Sequence, residues 1–237
     1  MISDADSDLR RAFETLGAMT AAPPPHVPTR TVVHLMRHGE VHNPERVLYG
    51  RLDGYHLSEL GREMADVVAR HLQASDITLV VASPLERAQQ TAAPIASFHG
   101  VPVETDERVI ESENYFEGRQ VSPKDLLHPS HWHKLFNPTK PSWGEPYELI
   151  AGRMLAAIDD ARRAAAGHEA VIVSHQLPIW TVRNKLEGRR LWHDPRRREC
   201  TLASLTSFAY ADDELEAVTY SEPAGALLAR ASKIMGA

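Results

Sequence analysis

Cysteine is almost missing. Cys200 is the single one in 237 residues, so no intramolecular disulfide can form, and no Cys/His spacing matches a structural zinc site. A reducing compartment, and with it a cytoplasmic location, is the natural expectation. Aromatic residues amount to only 6% of the chain, and no apolar run reaches the roughly 20 residues of a membrane span. The opening Met1-Ile2-Ser3-Asp4-Ala5-Asp6-Ser7-Asp8 is acidic where a secretory signal is basic. A formal charge of −6 argues against a general nucleic-acid binder. Internal repeats and low-complexity tracts are lacking too, which removes solenoids and flexible linker proteins from consideration.

What remains is a chain able to build one good-sized core, with 43% hydrophobic residues, and a single domain is expected. Short apolar runs alternate with amphipathic stretches. Thr31-Val32-Val33, Ile77-Thr78-Leu79-Val80-Val81-Ala82 and Ala170-Val171-Ile172-Val173 read as buried strands. Leu57, Leu60, Met64, Val67, Val68 and Leu72 form an apolar stripe behind Ser58, so a capped helix is predicted over 59–73. An Ala-rich helix is predicted over 147–166, a further amphipathic segment over 179–186, and closing strands over 201–209 and 215–220. The alternation predicts an α/β protein.

Three of these strands end in polar residues able to handle a phosphoryl group. The first gives way to Arg37-His38-Gly39-Glu40. A neutral imidazole is a competent nucleophile near pH 7, and a guanidinium fork matches phosphate oxygens. The second runs into Ser83-Pro84, which reads as an N-cap and first-turn pair, and this puts Arg87 in the first turn of a helix. A cation there opposes the helix dipole, so an anion is expected beside it, either a ligand phosphate or Glu86. The third ends in Ser174-His175-Gln176 at another strand-to-helix junction, where helix-opening N–H groups suit an anion. A histidine that simply caps the following helix fits that position as well. Ligands in open α/β sheets gather outside such carboxyl ends.

Arg37-His38-Gly39-Glu40, Ser83-Pro84-Leu85-Glu86-Arg87-Ala88-Gln89-Gln90-Thr91, Glu111 with Phe116-Glu117-Gly118, and Val173-Ser174-His175 occur in the order seen in the histidine phosphatase superfamily, also called phosphoglycerate-mutase-like. The chain resembles that family over roughly residues 30–222. The resemblance implies a three-layer α/β/α sandwich with a mostly parallel central sheet and a phosphohistidine intermediate, without metal or cofactor. It implies His38 as nucleophile and Glu111 as proton donor to the leaving oxygen, with Arg37, Arg87, His175, Asn43 and Gln176 around the phosphoryl oxygens. Glu113 is an alternative acid, because several carboxylates crowd residues 107–117.

The ligand expected is a small phosphorylated metabolite. Hydrolysis of a phosphomonoester is favoured over mutase chemistry because the family's cofactor-dependent mutases carry a longer insert between the acid and the second histidine. A phospho-ligand binding protein without turnover is a third reading. Outside the motifs, residues 1–29 form an extension, with Leu9, Phe13 and Leu16 at helical spacing before a Pro-rich linker. That arm would suit a partner subunit, and a homodimer is one arrangement. The domain proper is placed at 30–237, with an irregular lid-like insert about 112–147. Within the insert, His131-Trp132-His133 lacks a third ligand for a metal and is read as pocket lining. Residues 183–198 hold seven basic against two acidic side chains, suited to steering an anionic substrate or, more simply, to a solvated basic face.

Overall fold

The computed structural model describes residues 29–120 and 144–231. The N-terminal extension up to residue 28 and the central part of the expected insert, with His131-Trp132-His133, lie outside the described residues. Along the chain run β1 (Arg30–Arg37), α1 (Glu59–His71), β2 (Ile77–Ala82), α2 (Glu86–His99) and β3 (Val103–Thr105). There follow α3 (Tyr147–Ala164), β4 (Glu169–Ser174), α4 (Gln176–Leu186), β5 (Leu205–Ala211) and β6 (Glu214–Ser221). The sheet order is β3-β2-β4-β1-β5-β6. β1 to β4 are parallel to one another, and β5 and β6 close one edge antiparallel.

Alternation along the strands produces three layers, because successive side chains point to opposite faces. Val33 and Leu35 of β1, Val81 of β2, and Ala170 and Ile172 of β4 join a cluster with Met154, Ile158 and Ile179 of α3 and α4. Met36, Val80, Ala82, Val171 and Val173 face the other way, onto Met64 and Val68 of α1 and Ile95 of α2. The sheet is thus covered on both faces, and the near-continuous apolar character of β4 follows from that. Among the described residues no helix is long and apolar enough to cross a membrane.

Two local features aim the first strand end. Ser58 caps α1 as expected, its Oγ accepting from Gly61 N at 2.9 Å, a bond worth about 1 kcal/mol. The same hydroxyl donates to Glu40 Oε2 at 2.6 Å, tying the helix to the Arg37–Glu40 turn. Backbone there is so close that a Cβ on Gly61 would lie 2.0 Å from Glu40 O. Elsewhere the expectations need correction. Ser83 is not an N-cap: α2 starts at Glu86 behind Leu85, which offers no side-chain cap, and Ser83 Oγ is engaged by His175 instead. β5 begins at Leu205 rather than 201, because residues 200–204 turn under the end of β1, with Ala203 N donating to His38 O at 3.3 Å.

Candidate active site

Arg37, His38, Arg87, Glu111 and His175 come together beyond the carboxyl ends of the parallel strands, at the point where the chain leaves β1 toward one edge of the sheet and the neighbouring β4 toward the other. β1 ends at Arg37 and β4 at Ser174, adjacent in register, so His38 and His175 emerge side by side with ring centroids 5.1 Å apart. Both rings are fully buried. His38 Nδ1–H donates to its neighbour's carbonyl, Gly39 O, at 2.8 Å. That bond fixes the tautomer, leaving a lone pair on Nε2, and Nε2 has no partner among the described residues. Burial, then the charges of Arg87 and Arg37, hold the His38 imidazole well below the usual histidine range. His175 is depressed by the same causes, burial first. Neutral rings at pH 7 follow for both.

Arg87 is also fully buried. Its Nη2 donates to Gly50 O at 2.5 Å, and its guanidinium lies 4.7 Å from the Tyr49 ring centroid. Arg37 donates from Nη1 to Cys200 O at 2.9 Å. Glu111, 3% exposed, accepts from Ser112 N at 2.8 Å on Oε1. Of twelve buried side-chain nitrogen and oxygen atoms without a hydrogen-bond partner among the described residues, six belong to these groups. They are Arg37 Nε, His38 Nε2, Arg87 Nε and Nη1, Glu111 Oε2 and His175 Nδ1. A buried polar atom left unpaired costs about 1–3 kcal/mol, so six in one place amount to a receptor for a polar group with several oxygens. Next to them opens a cavity of about 260 Å³ lined by Arg37, Asn43, Tyr49, Gln176 and Arg198.

Asn43 and Gln176 are on the cavity wall, and each also has structural duties. The Asn43 side chain bridges the Val47 backbone in both directions, and Gln176 Nε2 donates to Cys200 O at 3.1 Å. Glu113 is not brought in: its side chain is 70% exposed and pairs with Arg51. Arg51 and Arg153 were not foreseen, and they hold the acid loop. Arg51 Nε donates to Glu111 O at 2.7 Å and its Nη2 reaches Glu145, while Arg153 Nη1 donates to Ile110 O at 2.7 Å. Tyr49, Ser83 as the partner of His175, and Arg198 were also missed as site residues. Ser83 carried the signal of a polar residue at a strand end and Arg198 only that of a basic stretch, while Tyr49 carried none. Among the described residues no group of three or more His, Cys, Asp or Glu is placed to hold a metal ion.

Comparison with known proteins identifies the family and the fold. A family model described as the histidine phosphatase superfamily (branch 1) matches residues 33–223, and the chain belongs to that family. Among curated proteins, the uncharacterized protein Rv0525 of Mycobacterium tuberculosis is 58% identical over 200 residues, covering 84% of this chain and 99% of its own. A Yersinia pestis (strain Pestoides F) protein named "Probable phosphoglycerate mutase GpmB" is 34% identical over 185 residues, 72% of this chain and 82% of its own. The fold is shared with the mycobacterial glucosyl-3-phosphoglycerate phosphatase Rv2419c, at TM-score 0.67 and 24% identity over 81% of this chain and 98% of that one. It is shared too with a phosphoglycerate mutase from Bacillus anthracis str. Sterne, at TM-score 0.65 and 22% identity over 85% and 97% of the two chains.

Proposed function

We propose that the chain is a phosphohydrolase that cleaves a small phosphomonoester through a phosphohistidine and requires no metal. The observation that carries this reading is the group of unpaired buried atoms around His38 Nε2, two cationic forks and a second imidazole among them. In the first step the Nε2 lone pair attacks phosphorus, the P–O bond to the leaving alcohol breaks, and Glu111 gives that oxygen its proton. In the second step water attacks phosphorus, Glu111 takes the water's proton, and the P–N bond breaks to return neutral His38 and inorganic phosphate. Arg37 and Arg87 stabilise charge on the equatorial oxygens, where phosphoryl transfer gains most of its catalysis. His175 contributes Nδ1–H in the tautomer whose Nε2 accepts the Ser83 hydroxyl, 2.8 Å away.

Glu111 is preferred to Glu113 as the acid because it is buried beside the other groups while Glu113 is engaged at the surface. The relatives named as phosphoglycerate mutases support a second reading, in which the phosphoryl group returns to another oxygen of the bound substrate. Release of inorganic phosphate from a panel of monoesters, measured with and without a bisphosphorylated primer and with a chelator, tests the choice. Primer-independent release that survives chelation, with acid-labile label on the protein that is lost in His38→Ala, is expected. Isomerisation without net release selects the mutase, and hydrolysis retained in His38→Ala overturns the assignment altogether.

A further inference from the structure

Most of the basic stretch at 183–198 is a solvated face, with Lys185, Arg189, Arg190, Arg196 and Arg197 exposed. Arg183 pairs with Glu187 and Glu199, Lys185 with Glu148, Arg189 with Glu187 and Arg196 with Asp194. Arg198 differs: half-buried, without an ion pair among the described residues, it lines the same cavity as Arg37. Its Nε–H donates to His193 Nε2 at 2.8 Å. That acceptor is available because His193 Nδ1–H donates to Leu191 O at 2.6 Å, which leaves the lone pair on Nε2. Arg198 Nη1 donates to Gln176 Oε1 at 3.4 Å.

A short hydrogen-bonded ladder then links the two cations. Gln176 Nε2 and Arg37 Nη1 both donate to Cys200 O, at 3.1 and 2.9 Å, so Arg37 and Arg198 stand on one wall with the Gln176 amide and the Cys200 carbonyl between them. Nη2 of Arg198 makes no hydrogen bond among the described residues. Burial opposes its charge, while Glu111 nearby favours it. A guanidinium aligned by a neutral imidazole, short of a carboxylate partner and facing a cavity is suited to receive an anion from the ligand.

We propose that Arg198 receives a second anionic group of the substrate, so that the site selects phosphomonoesters bearing a carboxylate or a second phosphate a few atoms from the reacting phosphorus. This inference rests on the phosphoryl reading of the same cavity and narrows its substrate class. The competing role, a residue that merely pins the 187–200 loop, predicts equal losses for all ligands.

Three phosphonates that cannot be hydrolysed separate these outcomes by calorimetric titration: propylphosphonate, 3-phosphonopropionate, and propane-1,3-bisphosphonate. At least one of the two acidic ligands is expected to bind about 10- to 100-fold tighter than propylphosphonate, and which one gains more identifies the second group. In Arg198→Gln that ratio falls to about threefold or less. A flat wild-type series, or a ratio that persists in Arg198→Gln, overturns the inference. Should Arg198→Gln not fold by thermal unfolding, Arg198→Lys takes its place, with the ratio lowered at least about threefold and an unchanged ratio counting against the idea. Binding of none of the three sinks the phosphoryl site together with this inference. Loss of hydrolysis alone, with the binding ratio intact, sinks only the hydrolase reading.

Discussion

The cradle around His38 and the outer side of α3 use the same residue types to opposite ends. On α3, Arg162 pairs with Asp159 and Asp213, and Arg163 pairs with Asp159 and Asp160. Arg108 answers both Asp106 and Asp160. These charges are partly or well exposed, and water screens what each pair contributes. In the cradle Arg87 is wholly buried, its charge opposed chiefly by that burial, and its contacts are a carbonyl and a tyrosine ring rather than a carboxylate. Folding alone gains little from such a placement. On the proposed function the difference marks where the molecule spends stability on binding, and the sharpest tests push one region toward the behaviour of the other.

The largest effect is expected from making the cradle neutral. Arg37→Ala and Arg87→Ala should each lower kcat/KM by about 10³-fold or more, since each removes a cation from charge that develops on the equatorial oxygens. Steady-state kinetics on a slowly hydrolysed alkyl phosphate checks this, and a loss below tenfold for Arg87→Ala would mean that its burial serves structure. Glu111→Gln should follow, with about 10²- to 10⁴-fold loss on alkyl esters but far less on p-nitrophenyl phosphate, whose leaving group needs no proton. Equal losses on both esters would shift the acid to Glu113 or to water.

How far the sequence carries can be judged at particular residues. His38 and His175 were legible because each directly follows a buried strand, and Arg87 because it lies in the first turn of the helix after β2; the parallel order of β1, β2 and β4 delivers those strand ends to one place. Glu111 was legible only as one of several carboxylates. What separates it from Glu113 is burial, and that depends on Arg51 and Arg153 gripping the loop backbone from distant segments. Arg198 was hidden for a related reason: local composition groups it with its basic neighbours, and only the turn of residues 200–204 beneath His38 carries it to the cavity wall. Ser83 looked like a cap because Ser-Pro at a strand end has that chemistry, yet a buried imidazole competed for its hydroxyl. Long-range partners decided each of these, and local pattern does not report them.

The cradle should also set the acid limit of the fold. His38, His175 and, less centrally, His193 are all held below the ordinary histidine value, mainly by burial. In the unfolded chain the same imidazoles take protons near pH 6.5. The unfolded state thus binds more protons as pH falls through that value, and native stability declines with it. Tm should drop between pH 7.5 and 5, before the ordinary carboxylates titrate, and the slope should flatten in the His38→Asn, His175→Asn double variant. An equally steep slope in that variant would place the acid sensitivity outside the cradle.

The smallest effect discriminates most directly between the two regions. Replacing a buried, unpaired cation with an apolar chain of similar length relieves its desolvation, so Arg87→Met is expected to raise Tm by about 2 °C or more without ligand, despite losing the Gly50 hydrogen bond. Arg163→Met, at an exposed pair, should leave Tm within about 1 °C. Inorganic phosphate should then raise the Tm of the wild type and of Arg163→Met but scarcely that of Arg87→Met, because a ligand stabilises only the form that binds it. A fall in Tm for Arg87→Met would show that the stacked guanidinium supports the fold, and the contrast between the two regions would lose its basis.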